Sequence, residues 1–147
     1  MKTMFIMRGI PGSGKSTHAN RINLYMDVIN VDSKIFSTDN YWMVGGEYKF
    51  QPALLGEAHK DTQRQVRDHM IQIDHEGLET AVIIIDNTNI LKSHMKPYED
   101  MAKEYGWHVN YITVGKFDDE FVDMCAERNT HGVPHIAVSS MAKRFQP

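Results

Sequence analysis

Apolar residues along this chain form short continuous runs and longer stretches in which they recur every three or four positions. The runs 4–7 and 82–85 are uninterrupted, which is typical of strands buried on both faces of a parallel sheet. Alternation of apolar and polar residues predicts another strand within 107–114. Either 28–31 or 35–38 should supply one more, and the pattern leaves that choice open.

Five segments with helical spacing of apolar residues are predicted to be helices. The first starts near Ser16, and the second covers 52–77 and ends on a glycine. Ser93 and Asp118 are the predicted caps of the third and fourth, and Pro134 suits the first turn of the fifth. Helices that alternate with strands imply an α/β fold, with a parallel sheet of four or five strands and helices on both faces.

Composition indicates a single globular domain, 1–147, because 41% of the 147 residues are hydrophobic and 24% are charged. No apolar stretch approaches the roughly 18 residues of a membrane span and no signal pattern opens the chain, so we expect a soluble cytoplasmic protein without a membrane partner. Cys125 is the only cysteine, which excludes an internal disulfide. The net charge of −3 favours local contact with a nucleic acid over coating of long stretches.

The segment 9–17 reads GIPGSGKST, follows the first predicted strand and matches the P-loop pattern GxxxxGK[ST]. Backbone N–H groups of such a loop surround a polyphosphate, while Lys15 reaches the outer phosphates and the Ser16 hydroxyl ligates magnesium. A tight Gly-Pro-Gly turn with a chance lysine is the alternative, and the flanking strand and helix weigh against it. The predicted nucleotide-binding residues of this segment are Gly9, Gly12, Ser13, Gly14, Lys15, Ser16 and Thr17.

Asp39 and Asp86 each directly follow a predicted strand. Carboxyl ends of parallel strands share one edge of a sheet, so both side chains should face the P-loop crevice. Asp39 is the best placed to orient an acceptor hydroxyl and take its proton, although it suits a helix N-cap equally well. Asp86 ends its strand like a Walker B carboxylate that holds magnesium, directly or through water, and Asn87 and Asn89 are predicted to contact substrate beside it. Ordinary Asx-turn chemistry is the alternative for this cluster.

Arg128 stands at the start of a predicted loop that covers 128–133. An arginine there can close over a nucleotide and neutralise the charge that develops in phosphoryl transfer. A solvated arginine that merely favours the helix dipole is the alternative, and local sequence does not decide between them.

With these residues in place, the chain resembles the polynucleotide-kinase-like branch of the P-loop kinases, which have an AAA-type ATP-binding core. That branch includes phage and animal kinases of 5′-hydroxyl ends. The resemblance covers nearly the whole chain and rests on the segments 9–17, 36–41, 55–59, 85–89, 95–98 and 128–134.

This resemblance implies ATP as donor, magnesium as cofactor and an adenylate-kinase-like three-layer fold with a small lid between the last two helices. Asp39 would be the general base for a 5′-hydroxyl, and Lys15 and Arg128 would clamp phosphate. Ser16 would be a magnesium ligand. The expected role is therefore the kinase step of DNA or RNA end repair.

One position departs from the resemblance. Trp42 stands where the characterised polynucleotide kinases tend to place an arginine that holds the substrate's own phosphate. An indole cannot form that ion pair, but it can stack on a base or sugar, so Trp42 is predicted to bind substrate. Three acceptor classes other than a nucleic-acid 5′ end stay open: a nucleoside, a modified DNA base and a small hydroxylated metabolite. So does an ATP-binding switch that is not a kinase.

Overall fold

Six strands and five α-helices make up the computed structural model, which describes residues 1–147. In chain order they are β1 (Lys2–Arg8), α1 (Lys15–Val28), β2 (Asp32–Phe36), β3 (Met43–Val44), β4 (Glu47–Tyr48), α2 (Leu55–Glu76), β5 (Ala81–Ile85), α3 (Lys92–Tyr105), β6 (His108–Thr113), α4 (Asp119–Arg128) and α5 (His135–Arg144). Two short 3₁₀ helices lie at Thr38–Trp42 and Pro52–Leu54.

The four longer strands form one parallel sheet in the order β2, β5, β1, β6. β1, which leads into the P-loop, therefore lies inside the sheet beside β5. Strands β3 and β4 form a separate antiparallel hairpin after the first 3₁₀ helix. The predicted α/β fold with a sheet of four or five parallel strands is confirmed, and the sheet has four.

Helices cover both faces of the sheet because consecutive side chains of a strand point to opposite sides. Met4 and Ile6 of β1 belong to a cluster with residues of α2 and α3, whereas Met7 lies in a cluster with Ala19 of α1. All five residues of β5 are buried. A third cluster, which includes Cys125, joins α4 and α5. No helix combines the length and the apolar character that a membrane crossing would need.

The structure decides one open choice and changes one local prediction. The second strand of the chain is the later candidate, because α1 continues to Val28 and Asn30 then adopts a left-handed φ of 59°. Ser93 does not cap α3, since Leu91 occupies that position and Ser93 lies inside the first turn. Asp118 caps α4 as predicted, and its carboxylate accepts a bond from the N–H of Phe121 at 2.8 Å.

Arg8, the last residue of β1, is buried and ties the sheet to the C-terminal tail. Its Nε donates to the carbonyl of Asn89 at 2.9 Å, and its Nη2 donates to the carbonyls of Ile90 and Gln146. The guanidinium carbon also lies 4.4 Å from the ring centroid of Phe145. Carbonyl oxygens and an aromatic face thus hold a cation whose pKa is lowered by burial.

Candidate functional site

The loop that follows β1 depends on glycine at two close approaches. A Cβ on Gly12, which has a φ of 81°, would lie 2.5 Å from the carbonyl oxygen of Cys125 in α4. A Cβ on Gly9 would lie 2.7 Å from the carbonyl oxygen of Val114, just past β6. The loop is therefore shaped against both α4 and the end of β6.

We expect Gly12→Ala to destabilise the fold far more than Gly45→Ala does. Gly45 also has a left-handed φ, of 58°, but a Cβ there would meet nothing within 4 Å. The backbone penalty alone costs about 1–2 kcal/mol at either position. Overpacking against Cys125 should add about 1–3 kcal/mol for Gly12→Ala. Equal losses in the free energy of unfolding, measured with denaturant, would contradict this account.

Two of the predicted nucleotide-binding residues use their polar groups inside the loop. The N–H of Gly9 donates to the carbonyl of Thr88 at 3.0 Å, and the N–H of Ser13 donates to the carbonyl of Ile10 at 3.1 Å. The Ser13 hydroxyl is buried and has no hydrogen-bond partner. These bonds of Gly9 and Ser13 hold the shape of the loop.

The start of α1 presents free amides. Gly14 occupies the N-cap with a left-handed φ of 101°, and its carbonyl accepts from His18 at 3.1 Å. The first amides of a helix have no partner within it, and none from Lys15, Ser16 or Thr17 is bonded elsewhere. These donors lie at the positive end of α1, where an anion is favoured.

Lys15, Ser16 and Asp86 form the floor of the site. The Lys15 side chain is 8% exposed, and its Nζ donates to the carbonyl of Ile10 at 3.2 Å. The Ser16 hydroxyl donates to Asp86 Oδ2 at 2.8 Å, while Oδ1 of the same carboxylate is buried without a partner. Burial lowers the pKa of Lys15 and raises the pKa of Asp86, and each shift is opposed by the charge of the other group.

A magnesium ion fits this pair of side chains. Hard cations take oxygen ligands, and here a hydroxyl and a carboxylate lie together with one buried carboxylate oxygen unused. Binding of a cation would also relieve the cost of holding the Asp86 charge away from water. Ser16 and Asp86 are therefore the residues that can hold the metal.

Asp39 lies in the 3₁₀ helix after β2, and the alternative role of N-cap is wrong for it. Ser37 is the cap, and its hydroxyl oxygen accepts a bond from the N–H of Asp39 at 3.3 Å. The Asp39 carboxylate is thereby left for other contacts. The N–H of Asp86 donates to the carbonyl of Phe36 at 2.8 Å and the N–H of Thr38 donates to Asn87 Oδ1 at 2.9 Å, so the segment that carries Asp39 lies beside Asp86.

Two side chains that the sequence did not single out contact the Asp39 carboxylate. The Tyr48 hydroxyl, on β4, donates to Oδ1 at 3.3 Å, and His131 Nε2 lies 3.4 Å from Oδ2. The two aromatic rings are stacked, with centroids 4.1 Å apart and planes 26° apart. Burial, together with the charge and bond of Asp39, raises the pKa of Tyr48 to about 12. Gly45 and Gly46 marked the turn of this hairpin, but no local signal paired Tyr48 with His131.

His131 belongs to the segment between α4 and α5, residues 129–134, here termed the lid loop. The Asn129 amide closes this loop on itself. Its Oδ1 accepts from the N–H of Val133 at 2.8 Å, and its Nδ2 donates to the carbonyl of Val133 at 3.0 Å. Arg128, just before the loop, donates from Nε to the carbonyl of Gly12. The residue predicted to meet phosphate is thus anchored on the P-loop itself.

Trp42 does not lie open to a substrate, as its predicted stacking role requires. The side chain is 2% exposed and lies edge-on to Tyr41 and Phe50, each with a ring centroid 5.0 Å away. The exposed apolar surface of this region comes instead from Met43, Val44 and Phe50, each of which is about half exposed. Packing of the indole against neighbouring rings explains the difference from the prediction.

Asn87 and Asn89 were predicted to contact substrate, but their side chains hold strand ends together. Asn89 has a left-handed φ of 47° and is 2% exposed, and its Nδ2 donates to the carbonyl of Met7 at 2.7 Å. Asn87 Oδ1 accepts from the N–H of Thr38 at 2.9 Å, next to Asp39. The buried Asn89 thus has a structural role, whereas substrate contact by the half-buried Asn87 stays a prediction.

A family model described as an AAA domain matches residues 4–147 of this chain. Human NEDD4-binding protein 2 is 34% identical over 148 residues, which cover 97% of this chain and 8% of that protein. The chain thus spans less than a tenth of the length of that relative.

Solved structures of kinase-type P-loop proteins share the fold. The Mycobacterium tuberculosis APS kinase CysC in complex with AMPPNP and APS superposes with a TM-score of 0.64 at 15% identity, over 89% of this chain and 70% of that one. A chain of a Pnkp1/Rnl/Hen1 complex superposes with a TM-score of 0.59 at 23% identity, over 84% of this chain and 39% of that one.

Proposed function

This chain belongs to the AAA domain family, whose model spans residues 4–147, and we propose that it is an ATP-dependent kinase of 5′-hydroxyl ends of DNA or RNA. The observation that carries this proposal is the arrangement of Lys15, Asp39 and Asp86 at one edge of the sheet. Asp86 is bonded to Ser16 of the P-loop, and its own N–H and the side chain of Asn87 bond the segment that leads into Asp39. A phosphate site beside an accessible carboxylate is what transfer to a hydroxyl requires.

On the nucleotide side, the P-loop and the start of α1 supply hydrogen-bond donors and positive charge. The free amides of Lys15, Ser16 and Thr17 face the phosphates, and the Lys15 ammonium, already desolvated, lies on the same side. Arg128 donates one N–H to the P-loop carbonyl of Gly12, which leaves other guanidinium donors for the transferred phosphoryl group. Magnesium, held by Ser16 and Asp86, neutralises charge on the phosphate oxygens when bound.

On the acceptor side, Asp39 orients the hydroxyl and takes its proton. Its carboxylate is half exposed, so a substrate can reach it. Met43, Val44 and Phe50 give the neighbouring surface an apolar character, which supports an acceptor that carries a base next to its hydroxyl. The sequence resemblance to polynucleotide kinases supports a nucleic-acid end as that acceptor.

Transfer of labelled γ-phosphate from ATP to oligonucleotides tests this proposal. Single-stranded and duplex DNA and RNA with 5′-hydroxyl ends should become labelled in the presence of magnesium. The same oligonucleotides with 5′-phosphate ends are the matched control and should stay unlabelled. Absence of transfer to every 5′-hydroxyl end would contradict the proposed acceptor.

A second acceptor class is favoured by one observation. The residue three positions after Asp39 is the buried Trp42, which cannot pair with a substrate phosphate in place of an arginine. A free nucleoside carries no phosphate, and in a modified DNA base or a small hydroxylated metabolite the acceptor hydroxyl need not lie beside one. Nucleosides added to the same assay separate the two candidates, because labelling of nucleosides without oligonucleotides would select the second.

We expect Asp86→Asn to stabilise the protein against unfolding and to reduce the further stabilisation that magnesium gives. Burial raises the pKa of Asp86 above its ordinary value of 3.8, so the ionised carboxylate destabilises the fold as pH rises through that raised pKa. Asparagine keeps an oxygen for the Ser16 hydroxyl but carries no charge. The gain should be about 0.5–2 kcal/mol at neutral pH, a common size for relief of functional strain.

Thermal unfolding with and without magnesium measures both effects. The melting temperature of the wild type should rise with magnesium and ATP, whereas that of Asp86→Asn should start higher and respond less. The difference between the two metal-free proteins should shrink as pH falls through the raised pKa of Asp86, because the carboxylate then becomes neutral. A destabilised Asp86→Asn protein at neutral pH would contradict the assignment.

A further inference from the structure

We propose that Tyr48 and His131 are positioning residues for Asp39, and together form an acceptor clasp between the β3–β4 hairpin and the lid loop. This inference rests on the proposed function, since Asp39 is the base of that reaction. It adds two residues from two separate elements to the acceptor side of the site.

The contacts of the clasp fix the carboxylate from both sides. Tyr48 donates to Oδ1 at 3.3 Å, and His131 Nε2 lies 3.4 Å from Oδ2. A carboxylate held at only one oxygen can still rotate about its last bond, but one held at both cannot. Each oxygen keeps a further lone pair, so an acceptor hydroxyl can bind without displacing either partner.

The two partners also hold each other. Their rings are stacked at 4.1 Å, so the hairpin and the lid loop meet directly across Asp39. The lid loop is itself shaped by the bonds between Asn129 and Val133, which limit the positions that His131 can adopt. The position and orientation of Asp39 are thereby fixed before an acceptor binds, which lowers the entropic cost of reaching the transition state.

The clasp is accessible to solvent. The Asp39 side chain is 50% exposed and that of His131 is 35% exposed, so neither is a core contact. No contact of Tyr48 or His131 involves the P-loop. Changes in the clasp should therefore alter the catalytic step with the acceptor and leave the affinity for ATP unchanged.

Two variants remove the polar contacts while they keep the stack. Tyr48→Phe lacks the hydroxyl that bonds Asp39, and His131→Phe lacks the ring nitrogen, but both leave an aromatic ring in place. We expect each to lower kcat about tenfold, the effect of losing one polar contact to a charged group, with the KM for ATP unchanged. Tyr48→Leu removes both contact and stack and should lower kcat further.

Matched controls come from exposed residues of the same types. Tyr25→Phe removes an exposed hydroxyl on α1, and His135→Phe removes an exposed imidazole that contacts Asp123 on α4. Both should keep the wild-type kcat. Equal melting temperatures of Tyr48→Phe and wild type would show that the loss in kcat is not a loss of fold. A Tyr48→Phe protein with wild-type kcat would overturn the proposal.

Proton NMR spectra test the clasp independently of any activity. The ring-proton resonances of His131 should be shifted by the stacked ring of Tyr48, retained in Tyr48→Phe and lost in Tyr48→Leu. If the wild type transfers phosphate to no acceptor, the proposed function fails in its own assay and this spectrum alone decides on the clasp. A His131 resonance that does not respond to Tyr48→Leu would then overturn it.

Discussion

Asp39→Asn should lower phosphoryl transfer by about 10²- to 10⁴-fold, the usual contribution of a general base, and leave ATP binding intact. Asparagine has nearly the same shape and keeps an oxygen that can accept from Tyr48, but it cannot take a proton from the acceptor. Single-turnover transfer measures the first effect, and titration calorimetry with ATP and magnesium measures the second.

The same variant separates a kinase from an ATP-binding switch. A switch would hydrolyse ATP slowly and engage its partner whether or not Asp39 could accept a proton, so Asp39→Asn would change neither property. Exposed Asp100, on α3, provides the control, because Asp100→Asn should keep full transfer. Transfer by Asp39→Asn at close to the wild-type rate would contradict the role of base.

Lys15→Met should weaken ATP binding and lower transfer by about 10²- to 10³-fold, the typical cost of losing one preorganised electrostatic contact. Methionine fills the volume of the lysine stem but carries no charge. The ammonium of Lys15 is buried, and burial lowers its pKa, so its removal also relieves a desolvation cost. Loss of the positive charge near the buried Asp86 opposes that gain, and thermal unfolding without ATP measures the net effect on stability.

The exposed Lys143, in the last turn of α5, is the matched control for Lys15. Lys143→Met removes the same charge and should change neither ATP affinity nor transfer. Titration calorimetry and the oligonucleotide assay give both quantities for the two variants. A Lys15→Met protein that binds ATP as the wild type does would contradict the P-loop assignment.

Local patterns were enough to predict the elements that bring the site together. The apolar runs of β1 and β5 specify buried parallel strands, and the P-loop spacing specifies the turn that follows β1. Because parallel strands end at one edge, the approach of Asp39 and Asp86 to Lys15 followed from the order of elements alone. This part of the site could therefore be predicted from the pattern of apolar residues and the order of the elements.

Side-chain directions depended on contacts that periodicity does not encode. Trp42 is buried because Tyr41 and Phe50 fold around it, and Asn89 turns inward because its left-handed φ points the amide at β1. Tyr48 and His131 meet only after the hairpin and the lid loop have both been placed. Sequence reasoning therefore placed the charged residues of the crevice at one sheet edge, but it did not find the residues that fix their geometry.

The bond between Arg8 and the carbonyl of Gln146 sets an order of events in biosynthesis. The two residues are 138 positions apart, yet Arg8 directly precedes the first glycine of the P-loop. During synthesis the N-terminal strand leaves the ribosome long before residue 146 exists, so the guanidinium then lacks one of its three carbonyl acceptors. Arg8 gains its third carbonyl acceptor only once residue 146 has been made and has folded back against β1, so the segment that leads into the P-loop completes its contacts late in folding.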